Sequence, residues 1–492
     1  MKIKILFTIL LFATSLIYSQ DYRYTNNVFT STVKTSDIVY GNAPFINTIT
    51  SFNESSTTNS DLVMDIYSPL GDTETQRPAI IFAHSGGFIN GSRNNDDMVD
   101  FCEFLAKKGY ITATIDYRKG MYLIDNNVPL HGTRAVYRGL QDGRTAVRFL
   151  RANAATYGID PDKVYFAGSS AGAFIALHAI YMNDTEKPTD ANASSYTSLL
   201  FPYNAPDLGP IDIGNNLTFN GKPDAVISLW GAIQSPDLVT ATDTTPVLLS
   251  HGIADGTVPF DIGSPFGYPL LPTVSGSKQV NDKLDVLGFT NKETYFVAGE
   301  DHEFYGASNG AWITPPNAYW ETIFDMSTNF LWNQHKPTVN YTDSSSGLSV
   351  DFSDTSIGAL SWLWDFGDGN TSTLQNPTHV YATSGTYDVK LYIENDIKSW
   401  NETTKSLTYA SLAIADEYSL NFSLYPNPTN GVLNITSKTP IDRIEIYSVL
   451  GKQVLNTTTN LDRIDISNLG TGIYIIKAHS NNELGIKRII KK

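Results

Sequence analysis

The sequence predicts an α/β fold, a doubly wound and mostly parallel sheet, followed by two small all-β sandwich domains. Three observations carry this reading. Between Asp61 and Lys336 short apolar runs alternate with helically spaced apolar stripes; from Thr338 the pattern changes to short strands and turns; and from Asn421 the charge balance inverts, with nine Lys/Arg against five Asp/Glu in a chain of net charge -16. At 492 residues the chain exceeds one ordinary domain. Its acidic field repels a phosphate backbone, so neither a nucleic acid nor an anionic membrane is an expected partner.

The chain opens with Met1-Lys2-Ile3-Lys4, an apolar run from Ile5 to Tyr18, and Ser19-Gln20. This pattern reads as a secretory signal peptide over residues 1–20. The run is shorter than the roughly 20 apolar residues a membrane helix needs, so no membrane span is expected in the mature protein. Cys102 is the single cysteine, which excludes an intramolecular disulfide and reads as a small buried hydrophobe. The expected division is signal peptide 1–20, catalytic domain 21–336, a first sandwich 337–410 and a second module 420–492.

Asp61 to Tyr67 alternates as a strand, and Pro78 to His84 is a continuous apolar run, as in a strand buried on both faces. Met98 to Lys108 has helical spacing and Tyr110 to Tyr117 is a further buried strand. Val136, Leu140, Val147, Leu150 and Ala154 stripe one face of a long helix. Val164 to Ala167 forms the next strand, Asn183 to Lys222 is a polar insertion expected over the sheet edge, and Ala225 to Trp230, Pro246 to His251 and Glu293 to Val297 give three more strands. Ala318 to Trp332 closes the core as an amphipathic helix. Strand, helix, strand order implies parallel pairing through right-handed crossovers.

Gly168-Ser169-Ser170-Ala171-Gly172 follows a β-branched and aromatic run and reads as G-x-S-x-G, with Ser170 as the candidate nucleophile. A serine hydroxyl needs a histidine to take its proton and a carboxylate to hold the imidazole in the right tautomer. His84-Ser85-Gly86-Gly87-Phe88 follows the buried strand that ends at His84. Small residues there let backbone N–H groups approach a developing oxyanion, and Gly86, Gly87 and Ala171 are the expected donors. His84 is read as a residue that orients this loop.

Together with Pro78-Ala79-Ile80-Ile81-Phe82-Ala83-His84, Asp116-Tyr117-Arg118 and Tyr157-Gly158-Ile159-Asp160-Pro161, these motifs resemble the α/β-hydrolase superfamily, in particular secreted carboxylesterases like hormone-sensitive lipase and feruloyl esterases. Ser85 stands where the H-G-G-G element of that group has a glycine, and Ala173 where many relatives have a second glycine after Gly172. The resemblance implies the chain order Ser, Asp or Glu, His. Of the eight histidines, only His302, His335, His379 and His479 follow a plausible acid. His335 closes the last core helix and the last two lie in the appended modules, which leaves His302. Asp255 follows the preceding strand and is the expected acid; Asp243 precedes that strand, and Asp301 is too near His302 in the chain to face its ring.

Trp362-Leu363-Trp364-Asp365-Phe366-Gly367-Asp368-Gly369, Asn376-Pro377-Thr378-His379-Val380-Tyr381 and Gly385-Thr386-Tyr387-Asp388-Val389 closely resemble the PKD domain, an immunoglobulin-like sandwich. Tyr425-Pro426-Asn427-Pro428, Gly431-Val432-Leu433, Gly451-Lys452 and Gly470-Thr471-Gly472-Ile473-Tyr474 resemble the C-terminal sorting domain of the type IX secretion system of Bacteroidetes. That resemblance implies an export address, an extracellular or cell-surface location and the secretion machinery as a partner. The leading reading is a secreted serine esterase acting on short or aromatic acyl esters, with polymer-bound esters as candidate substrates and no cofactor or metal. The alternatives are an extracellular lipase with Leu199 to Tyr203 in its lid, a serine peptidase of the prolyl-oligopeptidase kind and a non-catalytic surface binding protein.

Overall fold

Buried apolar strands line up side by side through the first two thirds of the chain. The computed structural model describes residues 22–46, 54, 57–123, 127–198, 201–411, 420–481 and 483–492, so the expected signal peptide lies outside the described residues, as do Leu199 and Leu200 of the expected lid. The main elements are β1 (Thr32–Ile46), β2 (Thr57–Pro69), β3 (Arg77–Ala83), α1 (Asp96–Lys107), β4 (Ile111–Ile115), α2 (Val128–Ala152), β5 (Ile159–Ser169), α3 (Ala171–Tyr181), β6 (Val226–Leu229), β7 (Val247–Gly252), α4 (Ser277–Val286), β8 (Lys292–Val297) and α5 (Ala318–Asn333). The strands form one eight-stranded sheet in the order β1-β2-β4-β3-β5-β6-β7-β8. β2 runs antiparallel to both of its neighbours, and every pair from β4 to β8 is parallel.

β3, β4 and β7 are buried along their whole length because helices cover both faces. One core joins Leu140, Val147 and Leu150 of α2 and Ile175 of α3 to Ile81 and Phe166 of the sheet. The other joins Phe101, Cys102 and Leu105 of α1 and Trp320 and Phe324 of α5 to Phe82 and Leu248. Each such side chain contributes about 1.5–3 kcal/mol by leaving water. Cys102 is fully buried, and burial pushes its thiol far above the ordinary value, which makes it inert.

Two elements differ from the sequence expectation. The sheet begins at β1, before Asp61; this strand carries Asp37, Gly41 and Pro44, is interrupted by two register shifts and is mostly exposed, so it lacks a clean alternation. The insertion lies along α2 instead of over the sheet edge. Gln141 Nε2 donates to the carbonyls of Leu208 and Pro210, Arg148 to Asn215, and Arg151 to Asn220 and Lys222. Buried guanidinium and amide groups on a long helix need acceptors, and the backbone of this polar segment supplies them. Phe201–Ala205 pairs as a strand with Ser194–Ser198.

Strands between Tyr341 and Tyr409 form sheets of three and four strands around Trp364, Phe366, Tyr381 and Leu391, and a second such pair spans Phe422 to Lys491 around Leu433, Ile446 and Ile476. Trp362 is half-buried and donates to Asp354, while Asp365 and Asp368 accept turn N–H groups from Gly367 and Asn370.

The first sandwich is seated on the catalytic domain. Ile397, fully buried, packs into the core that holds Phe101 and Trp320. Tyr24 Oη donates to its carbonyl at 2.8 Å, His335 contacts Ser399 Oγ at 2.8 Å through Nδ1 and Tyr110 Oη at 2.9 Å through Nε2, and Asn395 donates to the His335 carbonyl. Burial pushes His335 down to about 3, so it sits there neutral. A chain ending at Pro337 exposes this socket and takes Ser399 from His335 Nδ1 and the Ile397 carbonyl from Tyr24. It should lose at least about 2 kcal/mol of stability, read as a lowered melting temperature of the catalytic domain; unchanged melting would mean the sandwich is a loose appendage.

Candidate active site

Ser170 occupies the turn between β5 and α3 with φ 52 and ψ -114. A non-glycine residue there stores about 1–3 kcal/mol of strain. The flanking glycines are required by space: a Cβ on Gly168 would lie 2.1 Å from the carbonyl carbon of Gly172, and one on Gly172 would lie 2.0 Å from the Ala83 oxygen. Ser170 N–H bonds to the Leu229 carbonyl at 3.0 Å, which fixes the turn against β6.

β7 and β8 are parallel neighbours, so the loops that follow them lie side by side. Asp255 is in the first and His302 in the second, and His302 Nδ1 is 2.8 Å from Asp255 Oδ2. Asp301 joins the two loops by accepting the N–H groups of Gly256 and His302, both at 2.8 Å. The other Asp255 oxygen accepts Thr257 N–H and Val258 N–H, each at 2.8 Å. Burial alone raises the Asp255 carboxyl, but hydrogen bonds from His251 and His302 outweigh it and hold the group well below the usual carboxylate range.

No motif in the sequence marks His251 as part of this site. Its Nε2 lies 3.2 Å from Asp255 Oδ2 and its Nδ1 2.8 Å from Ser277 Oγ. The available signal was its place at the end of a buried strand, four residues before the acid. Nor does the sequence mark Trp230. It sits at φ 46, donates from Nε1 to Ser169 Oγ at 2.9 Å and turns its ring edge-on to His302 at 6.1 Å. Trp230 therefore bridges the serine turn and the histidine loop. Ser170 Oγ and His302 share no hydrogen bond in this arrangement.

Gly86 and Gly87 have φ 116 and 61, left-handed values that suit glycine. The carbonyl of Gly86 accepts Ile89 N–H and Asn90 N–H, which folds the loop back. His84 stacks on Tyr117 with centroids 4.3 Å apart, and Tyr117 Oη donates to the His84 carbonyl at 2.8 Å. Burial pushes His84 down to about 4, and a Cβ on Gly91 would fall 2.3 Å from its Nδ1. A neutral, stacked imidazole of this kind orients the loop. Arg93 pins the far side of the loop to Asp65 and Asp116. Ala171 is the first residue of α3, so its N–H has no partner within the helix.

An apolar cleft opens at Ser170, Ala171 and Gly87 and runs between Val136 and Leu140 of α2 and Phe174 and Met182 at α3. Segment 258–274 covers it. Phe88, Ser170, Trp230, Phe266 and Glu303 all have positive φ, so backbone strain gathers around this place.

The sheet order, the crossovers and a serine turn at the carboxyl end of β5 define the α/β-hydrolase class. Residues 64–266 match the BD-FAE family, residues 335–409 the PKD domain, and residues 423–492 the secretion system C-terminal sorting domain. The chain thus carries an α/β-hydrolase fold with a segment that matches the BD-FAE family, followed by a PKD domain and a type IX sorting domain. Among curated proteins it is 33% identical over 114 residues to a neuroligin-like protein, glit-1, of Caenorhabditis elegans, covering 23% of this chain and 15% of that protein. It is 36% identical over 106 residues to juvenile hormone esterase of Heliothis virescens, covering 21% and 18%. The chain therefore spans less than a fifth of either relative. A thermophilic esterase of Thermogutta terrifontis is a solved structure with 20% identity and a TM-score of 0.40, covering 60% of this chain and 92% of its own. No helix among the described residues is long and apolar enough to cross a membrane.

Proposed function

We propose that the chain is a secreted serine hydrolase of carboxylic esters working through an acyl-enzyme. The observation that carries this reading is the 2.8 Å contact between His302 Nδ1 and a carboxylate held ionised, at the same sheet end as a strained serine opening on an apolar cleft. Ser170 Oγ attacks the ester carbonyl while His302 Nε2 takes its proton. Asp255 keeps Nδ1–H directed at itself and stabilises the imidazolium. The N–H groups of Gly86, Gly87 and Ala171 receive the oxyanion. His302 then protonates the departing alcohol, and water repeats the sequence to release the acid. The serine–histidine hydrogen bond forms as the ester seats against Ser170.

Short or aromatic acyl groups on polysaccharide are the proposed substrates. p-Nitrophenyl acetate and butyrate should be turned over faster than palmitate, and feruloylated or acetylated sugars should be hydrolysed. Faster palmitate turnover that jumps at a lipid interface would make the enzyme a lipase.

The sorting domain is proposed to direct export through type IX machinery to the cell surface or medium. Deleting residues 420–492 should leave kcat and KM on a small soluble ester unchanged while the protein stays within the cell envelope. Normal export of the truncated chain would remove that role.

A further inference from the structure

Segment 258–274 roofs the cleft by coming down on two glycines. A Cβ on Gly87 would meet Phe266 Cζ at 3.1 Å, and one on Gly132 of α2 would meet Leu271 Cδ2 at 3.2 Å. Both are tighter than ordinary van der Waals contact, so the roof rests directly on backbone at each bank. The roof is itself braced. Ile262–Gly263 pairs with Val274–Gly276, which pairs with Ala232–Ile233, and Ser264 Oγ donates to the Leu271 carbonyl at 3.0 Å.

Phe266 stands out within it. Its backbone is left-handed, φ 59 and ψ 14, a conformation that disfavours a bulky side chain. Strain of this kind is ordinarily offset by burying the ring, yet Phe266 is 45% exposed. Folding gains little from it, while the ring is carried onto Gly87, beside Ser170, at the entrance of the cleft.

We infer that Phe266 is a specificity-determining residue which limits the size of the acyl group admitted to the cleft. The inference rests on the ester-hydrolase reading above. The side of the ester follows from proton chemistry. The leaving alcohol must depart where His302 can protonate it, and His302 does not line the cleft. The cleft floored by Val136, Leu140, Phe174 and Met182 and roofed by Phe266 and Leu271 is left for the acyl part. The longer the acyl chain, the further it must extend from Ser170 beneath Phe266 and Leu271.

The test uses full-length protein and kcat/KM for p-nitrophenyl acetate, butyrate and octanoate. In Phe266→Ala the octanoate-to-butyrate ratio should rise about tenfold or more, the scale of one or two methylenes in an apolar pocket. Phe266→Gly should shift the ratio the same way with a melting temperature equal to or above wild type, because glycine adopts the left-handed backbone without strain. An unchanged ratio in Phe266→Gly, or an equal loss on all three esters, would overturn the assignment. A wild-type protein inactive on every ester would instead overturn the ester-hydrolase reading.

Discussion

Replacing Ser170 with alanine should abolish ester turnover, with a loss in kcat on the order of 10⁶, the size found when the nucleophile of a comparable triad is removed. The fold should survive. Ser170 Oγ makes no hydrogen bond that the turn depends on; what holds the turn is the Ser170 N–H bond to Leu229 and the close approach of Gly168 and Gly172. Alanine retains both. His302→Ala should do nearly as much harm, since the hydroxyl then has no group to take its proton. Steady-state rates on p-nitrophenyl butyrate, with circular dichroism to verify folding, measure both variants. A Ser170→Ala protein keeping even a tenth of the wild-type rate would show that the nucleophile lies elsewhere.

Asp255→Asn should cost about 10⁴ in kcat, the scale of the analogous change in another triad. An amide oxygen can still accept the N–H groups of Thr257 and Val258, so the loop keeps its shape. The amide nitrogen, however, now faces His302 Nδ1 as a donor and favours the tautomer with its proton on Nε2. The imidazole can then no longer accept from Ser170. The same substitution removes the charge beside His251, whose Nε2 lies 3.2 Å from the carboxylate, while Val258 and Ser277 still hold that ring. KM should change little while kcat falls. A loss confined to KM, or a fall below tenfold, would mean that Asp255 only shapes its loop.

Local signals were strong where chemistry needs a local pattern. The glycines around Ser170 are legible because backbone atoms of Gly172 and Ala83 lie where their Cβ atoms would be. The pairing of Asp255 with His302 is legible because each follows a strand of the sheet, and parallel neighbouring strands bring their loops together. Asp116-Tyr117-Arg118 carried family likeness without a reason; in the structure Asp116 holds Arg93, Tyr117 supports His84, and Arg118 pairs with buried Asp142. Other features exist only in three dimensions. His251 gains its role from Asp255 folding back onto its own strand, and Trp230 from lying between the turn after β5 and the loop after β8. Pro265-Phe266-Gly267 reads as an ordinary turn, and nothing in it announces the cleft below. β1 escaped because its bulges break the alternation that marks a strand.

Covalent trapping tests the central claim most directly. An aryl sulfonyl fluoride incubated with the full-length protein should leave one adduct per chain, located by peptide mass spectrometry on Ser170, and the rate of labelling should collapse in His302→Ala. Labelling of another residue such as Ser169, or continued ester turnover by fully labelled protein, would contradict the assignment of Ser170 as the nucleophile.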